Sequence, residues 1–350
     1  MHHDGYFSMK LFSIVLFLCI STLTLAKEGD RLIDLLRKGN AQHDVGNYEK
    51  ALEFYKKALK IDSTSGIVHY EIAYSLMALK RYEESAQYSR RVIDLNSKQQ
   101  QGAYVMLGSA LNLMGSPQEA IKVYLEGLTK FSGLHQLHYN LALAYFDVDN
   151  LNKAEEVLYH SLQMKPAHIN SHLLLSKIMS ARGQSIKAIL PLYYVLYLDQ
   201  QLPNAKEISN MLYGLMDHIM YVQDSTFMRK NEIDTLFASA VDGVMSAQKT
   251  NSDDSSFSTA ECTFFASLKD AAQKAHPLWS DLYATLFYQL YDAGHCEAFA
   301  YMIDRMSAAP EAEQWLRTHP SKVQALQSWI DAHQPPQKMN QVLFGTSDFR

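Results

Sequence analysis

Five segments of the chain carry one arrangement of apolar and polar positions: NYEKALEFYKKALKIDS, RYEESAQYSRRVIDLNS, SPQEAIKVYLEGLTKFS, NLNKAEEVLYHSLQMKP and QSIKAILPLYYVLYLDQ. Tyr48 and Tyr82 stand at equal phase, and the other three fall in the same frame after one inserted residue near 100. Apolar residues at helical spacing predict a helix in each segment and a second helix before it. The frame divides the chain into units 32–65, 66–99, 101–134, 135–168 and 169–202. In the first helix of a unit a small residue follows an apolar one, as in Ile72-Ala73, Leu107-Gly108 and Leu141-Ala142. The second helix opens on another small residue (Ala51, Ser85, Ala120, Ala154, Ala188), and a larger one such as Tyr55, Tyr124, Leu158 or Leu192 follows a turn later. Small side chains at a crossing let two helix axes approach closely. Between the two helices, Gly46-Asn47, Gly115-Ser116 and Gly183-Gln184 supply the left-handed residue that ends a helix.

A period of this length with this packing code resembles the tetratricopeptide repeat (TPR) family. The resemblance covers roughly half of the chain. It implies an all-α fold, a right-handed superhelix of helix-turn-helix units whose first helices line a concave face. It also implies that a partner is held by the second, fifth, ninth and twelfth positions of each unit. Those positions are Asn40 and His43; Tyr70, Tyr74 and Met77; Val105, Ser109 and Asn112; Tyr139, Leu143 and Phe146; Asn170, Leu173 and Lys177. Aromatic anchors beside a few polar groups suit an extended peptide or a partner helix. The competing expectation is that the C-terminal half of the same chain fills this face. The carboxylate clamp of the family's chaperone-tail binders is rejected. Asn40 fits one clamp position, but Leu36 replaces the first lysine and Glu71 would repel a carboxylate.

His69, His138 and His172 share the fourth position of their units and read as large packing residues. His135 with His138, and His168 with His172, have spacings compatible with a metal, but no third ligand falls in register, so no metal and no cofactor are expected.

Beyond Asp199 the repeat fades into a helical C-terminal region, 203–333. AKEISNMLYGLMDHIMY and KNEIDTLFASAVDGVMS predict helices, and a polar loop is expected over 248–260. A degenerate hairpin turns at Gly294, and Trp315, Leu316, Val323, Leu326, Trp329 and Ile330 form the docking face of terminal helices. Residues 334–350 are expected to form an extended tail.

The remaining features set address and chemistry. A formal net charge of −5 gives no electrostatic footprint for nucleic acid. Residues 1–26 read as a secretory signal peptide, with Lys10, a short apolar run, and Thr24 and Ala26 before a cleavage site. The run is short for a membrane span, so none is expected after its removal. Two cysteines then remain, Cys262 and Cys296, an even count that permits one disulfide in an exported chain; two free thiols are the alternative. No metalloprotease, nucleophile-elbow, phosphate-loop or Cys-x-x-Cys motif occurs. Together with the resemblance, which implies a role in holding other proteins, these features predict an exported, non-catalytic scaffold or assembly factor of a bacterial, Gram-negative envelope, periplasmic or envelope-associated. The alternatives are an enzyme or carbohydrate-binding protein with its site in the C-terminal half, and a self-assembling oligomerisation module.

Overall fold

The computed structural model describes residues 27–221, 257–274 and 277–336, and every regular element among them is helical. The expected signal peptide, the predicted helix from Asn231 and tail residues 337–350 lie outside the described residues. The chain divides into two units, up to Asn140 and from Leu141 onward.

The first unit contains α1 (27–44), α2 (Tyr48–Leu59), α3 (Gly66–Ala78), α4 (Tyr82–Asp94), α5 (Gln100–Leu113) and α6 (Pro117–Lys130), and the division falls within α7 (His135–Asp147). Each repeat is a pair of helices, and the residues at their crossing are matched in size. Gly39 faces Tyr55 and Gly108 faces Tyr124 so closely that a Cβ on either glycine would overlap the ring. Ala73 instead meets a helix bearing Ser89 at the same phase as those tyrosines, and all these residues are buried. The left-handed turn recurs at one phase. Gly46 (φ 79°) and Gly115 (φ 77°) occupy it in two repeats, and Lys80 (φ 60°) occupies it between them.

The second unit holds α8 (Leu151–Met164), α9 (Ile169–Ala181), α10 (Ser185–Leu198) and α11 (Ala205–Tyr221). It continues with α12 (Phe257–Ser267), α13 (Lys269–Lys274), α14 (277–292), α15 (Cys296–Met306), α16 (Pro310–Thr318) and α17 (Pro320–Ala332). Its centre is α10, where every residue from Ala188 to Tyr197 is buried. Tyr193 packs edge-on to Phe265 at 4.9 Å, and Phe287 stacks on Phe265 at 4.9 Å. The last repeat therefore serves as the core of the C-terminal region, which explains why its sequence is apolar on all faces.

One expectation is extended and one needs correction. The repeat register, expected to fade beyond Asp199, persists on one face of α11. Shifting buried Ser171, Leu174, Leu175 and Ile178 by one period of 34 gives Ala205, Ile208, Ser209 and Leu212, all buried in α11. The expected polar loop 248–260 ends early, because α12 begins at Phe257. Ser258 and Glu261 are drawn inward by the same helical turns that bury Phe264 and Phe265. The rest of that expected loop, residues 248–256, lies outside the described residues.

Cys262 in α12 and Cys296 at the start of α15 form a disulfide, with their Cα atoms 5.6 Å apart. Deep in this unit Tyr193 donates to Glu261 at 2.9 Å, and Tyr213 donates to Asp304 at 2.6 Å. Burial, with the charge of Asp304 behind it, holds the Glu261 carboxyl well above its ordinary range. Within α14 the helix widens to a π turn over Ser280–Ala284, which seats Tyr283 against His172.

Candidate functional site

The shared histidine phase has a structural use. His69 and His172 each place Nε2 on a carbonyl oxygen six residues earlier, Ser63 at 2.9 Å and Pro166 at 2.6 Å. Only a ring N–H can donate to a carbonyl, so His172 accepts the Tyr283 hydroxyl at Nδ1, 2.7 Å away. Complete burial pushes its pKa down to about 3. His138 is buried as well, with Nδ1 3.3 Å from the Leu134 carbonyl. Among the described residues no three His, Cys, Asp or Glu side chains converge to hold a metal.

In the first unit the predicted contact residues fall into two groups. Asn40 accepts the Tyr55 hydroxyl at 2.8 Å, and Ser109 shares a hydrogen bond with Tyr124 at 3.1 Å. Both positions are thus tied to the tyrosine that fills the crossing of their own repeat. The second group presents an aromatic surface. His43 stacks on Tyr74 at 4.7 Å, meets Tyr48 edge-on at 5.0 Å, and pairs its Nδ1 with Ser75 at 2.9 Å. Tyr74 remains 50% exposed. Tyr70 is half-buried and lies over Gly102, where a Cβ would collide with its ring. Met77, Val105, Asn112 and Tyr139 are half-buried. Beside this surface the Glu71 carboxyl is held up, first by burial and then by the charge of Asp44.

In the second unit Phe146, Ser176 and Lys177 line a cleft of about 520 Å³ whose other wall is Met211, Gly214 and Leu215 of α11. Sequence reasoning found Phe146 and Lys177 but missed Met211 and Gly214. These lie one 34-residue period after Lys177 and Ser180, and that spacing was the signal that would have found them. Asn170 is exposed, and Leu143 and Leu173 are half-buried; none of the three lines the cleft. The tryptophans of the C-terminal region are engaged within the unit. Trp279 donates from Nε1 to Tyr159 at 3.0 Å, Trp329 stacks on His333, and Trp315 stacks on both Tyr301 and His319.

Comparison with known proteins places the repeats. Family models described as "Tetratricopeptide repeat" match residues 35–65, 68–99 and 135–168. Among curated proteins, the TPR repeat-containing protein MJ1428 of Methanocaldococcus jannaschii is 23% identical over 193 residues, 52% of this chain and 34% of that protein. The BBSome complex member BBS4 of Bos taurus is 23% identical over 176 residues, 50% of this chain and 32% of that protein. The chain spans about a third of the length of these curated relatives. Among solved structures, TTC0263, a thermophilic TPR protein of Thermus thermophilus, aligns with TM-score 0.44 and 18% identity, covering 53% of this chain and 98% of that one. MamA of Desulfovibrio magneticus RS-1 aligns with TM-score 0.44 and 18% identity, covering 50% and 98%. The units 101–134 and 169–202, which the family models leave unmatched, are the helix pairs α5–α6 and α9–α10. Residues 35–99 and 135–168 of this all-α chain are tetratricopeptide repeats, the architecture of protein–protein interaction scaffolds.

Proposed function

We propose that the protein is an exported envelope scaffold that holds a peptide segment or helix of another protein on the first helices of its repeats, without bond-making chemistry of its own. The observation that carries this reading is the cleft bounded by Phe146, Lys177, Met211 and Leu215. Met211 stays 41% exposed there, beside a lysine that can meet an acidic group. An exposed apolar side chain in a rimmed cleft gains by burial against a partner. The Tyr74 surface of the first unit offers a second aromatic anchor of the same kind. The carboxyls Glu261 and Asp304 are each bonded to a tyrosine, and neither lines the cleft, which favours binding over catalysis there. Export rests on the apolar leader pattern of residues 1–26 and on the disulfide, a bond kept in oxidising compartments.

The test places a photocrosslinking amino acid at Tyr74, Met211 or, as a control, exposed Lys122 of α6 in cells producing the full chain. Crosslinks to one discrete partner are expected from Tyr74 and Met211 and not from Lys122. Met211→Glu should weaken capture at least tenfold while leaving the helical spectrum unchanged. Equal crosslinking from all three positions would remove the reading.

A further inference from the structure

The terminal helices do not close on themselves. Where α15, α16 and α17 meet, a cleft of about 440 Å³ remains, and its apolar lining is Met302, Leu316, Val323 and Leu326. Leu326 and Met302 are buried beneath it, while Leu316 and Val323 are only half-buried. Leu316, Val323 and Leu326 belong to the docking face expected of the terminal helices, and with Met302 they leave a space in the size range of small-ligand sites, about 300–1,000 Å³. Arg305 of α15 and Arg317 of α16 line the same cleft, and both are exposed. Among the described residues neither guanidinium has a carboxylate within ion-pair distance, unlike Arg81 with Glu84 or Arg182 with Glu155. Glu313 also lines the cleft and bonds to neither arginine.

We propose that this cleft binds an apolar monocarboxylate. The carboxylate sits between Arg305 and Arg317, whose planar donor forks match its two oxygens. The hydrocarbon or aromatic group lies on Met302, Leu316, Val323 and Leu326, where it is removed from water. Glu313 sets the charge limit: beside two cations it leaves a net excess of one, so a second carboxylate on the ligand meets repulsion. The same chemistry is offered by a free apolar acid and by a peptide whose C-terminal residue is apolar. The site lies outside the matched repeats and shares no lining residue with the Phe146–Met211 cleft, so it stands apart from the proposed partner-binding face.

Titration calorimetry on the full chain tests it with 3-phenylpropionate, the neutral alcohol 3-phenylpropanol, the dicarboxylate suberate, and a short peptide ending in Leu-Phe, supplied as free acid and as amide. Saturable binding of phenylpropionate or of the peptide acid is expected. The alcohol, the amide and suberate should each bind at least tenfold more weakly. Binding of phenylpropionate identifies a free acid as the source, and binding of the peptide acid alone identifies a chain terminus. The double substitution R305Q/R317Q should lower affinity at least tenfold with unchanged helicity, because both side chains are exposed. The groove substitution M211E should leave it unaltered. Acid and neutral analogue binding equally, undiminished affinity in R305Q/R317Q, or no saturable signal from either acid up to about 10 mM would overturn the proposal.

Discussion

A single position decides how two helices of a repeat meet. Where the first helix offers glycine, at Gly39 and Gly108, the second answers with a buried tyrosine. Where it offers alanine at Ala142, the residue at the answering phase is Leu158, also buried. Tyr124 is 1% exposed with its hydroxyl engaged by Ser109, so it cannot swing away from an added methyl. Gly108→Ala should therefore cost about 1–3 kcal/mol of stability through overpacking. Adding Tyr124→Leu, which copies the Ala142 and Leu158 pair, should recover most of that loss. Urea denaturation of the single and double variants reads both effects, and additive losses would contradict the size-matching account. The small residues and their spacing were legible in the sequence because few side chains satisfy a close crossing. That Asn40 and Ser109 would be taken up by tyrosine hydroxyls was not, since it depends on the reach of a phenol across the helix pair.

Among the elements, α10 and α11 show where legibility ends. The sequence of α10 announces burial, yet it cannot say which helices do the covering; the structure supplies Phe265 of α12 and Phe299 of α15. α11 hid its register because Asn210 stands at the phase where Gly108, Ala142 and Ser176 are small, while Ala205, Ile208 and Leu212 keep the buried face. The π turn in α14 left no letter pattern at all, because a shift of hydrogen-bond partner changes no residue. The packing of α12 against α10 and α15 also sets a pH dependence. Glu261 of α12 faces Tyr193 of α10, Tyr213 of α11 and Asp304 of α15, and burial raises its pKa. The folded state therefore keeps a proton that the unfolded chain releases above its ordinary carboxyl range. Stability should be full below that range and fall as pH rises toward the folded value. Glu261→Gln, uncharged at every pH, should flatten this slope and stabilise the protein at pH 7 and above. Thermal melts of both proteins from pH 4 to pH 8 check it, and parallel slopes would count against the buried proton.

For the molecule as a whole, the disulfide ties α12 to α15 within the second unit. Cys262 and Cys296 close a loop with a sequence separation of 34. The chain-entropy relation gives about 3–4 kcal/mol for such a loop. Reduction should lower the unfolding free energy of the second unit by this amount, with amide protection lost first in α12 and α15 and retained in α2–α6. Hydrogen exchange with and without reductant shows the pattern, and uniform loss along the chain would oppose it. In intact cells an exported protein should resist thiol alkylation at both cysteines until reductant is added. The five repeats up to Asp199 were legible because each unit restates the same constraint, whereas the register that continues into α11 was not. The cleft between α15, α16 and α17 was not, because the sequence marks Leu316 and Val323 as apolar without saying how nearly they meet.

The pairing of glycine with tyrosine also bears on how such chains are assembled. The helices of the first and third repeats carry matching halves, Gly39 with Tyr55 and Gly108 with Tyr124, so α1 and α5 are interchangeable at that contact. Neither can be exchanged for the first helix of the fourth repeat, where Ala142 accompanies Leu158, without leaving a hole or a collision. The unit that can be duplicated or recombined without repair is therefore the whole helix pair, and a break point inside one carries a penalty that a break point between pairs avoids.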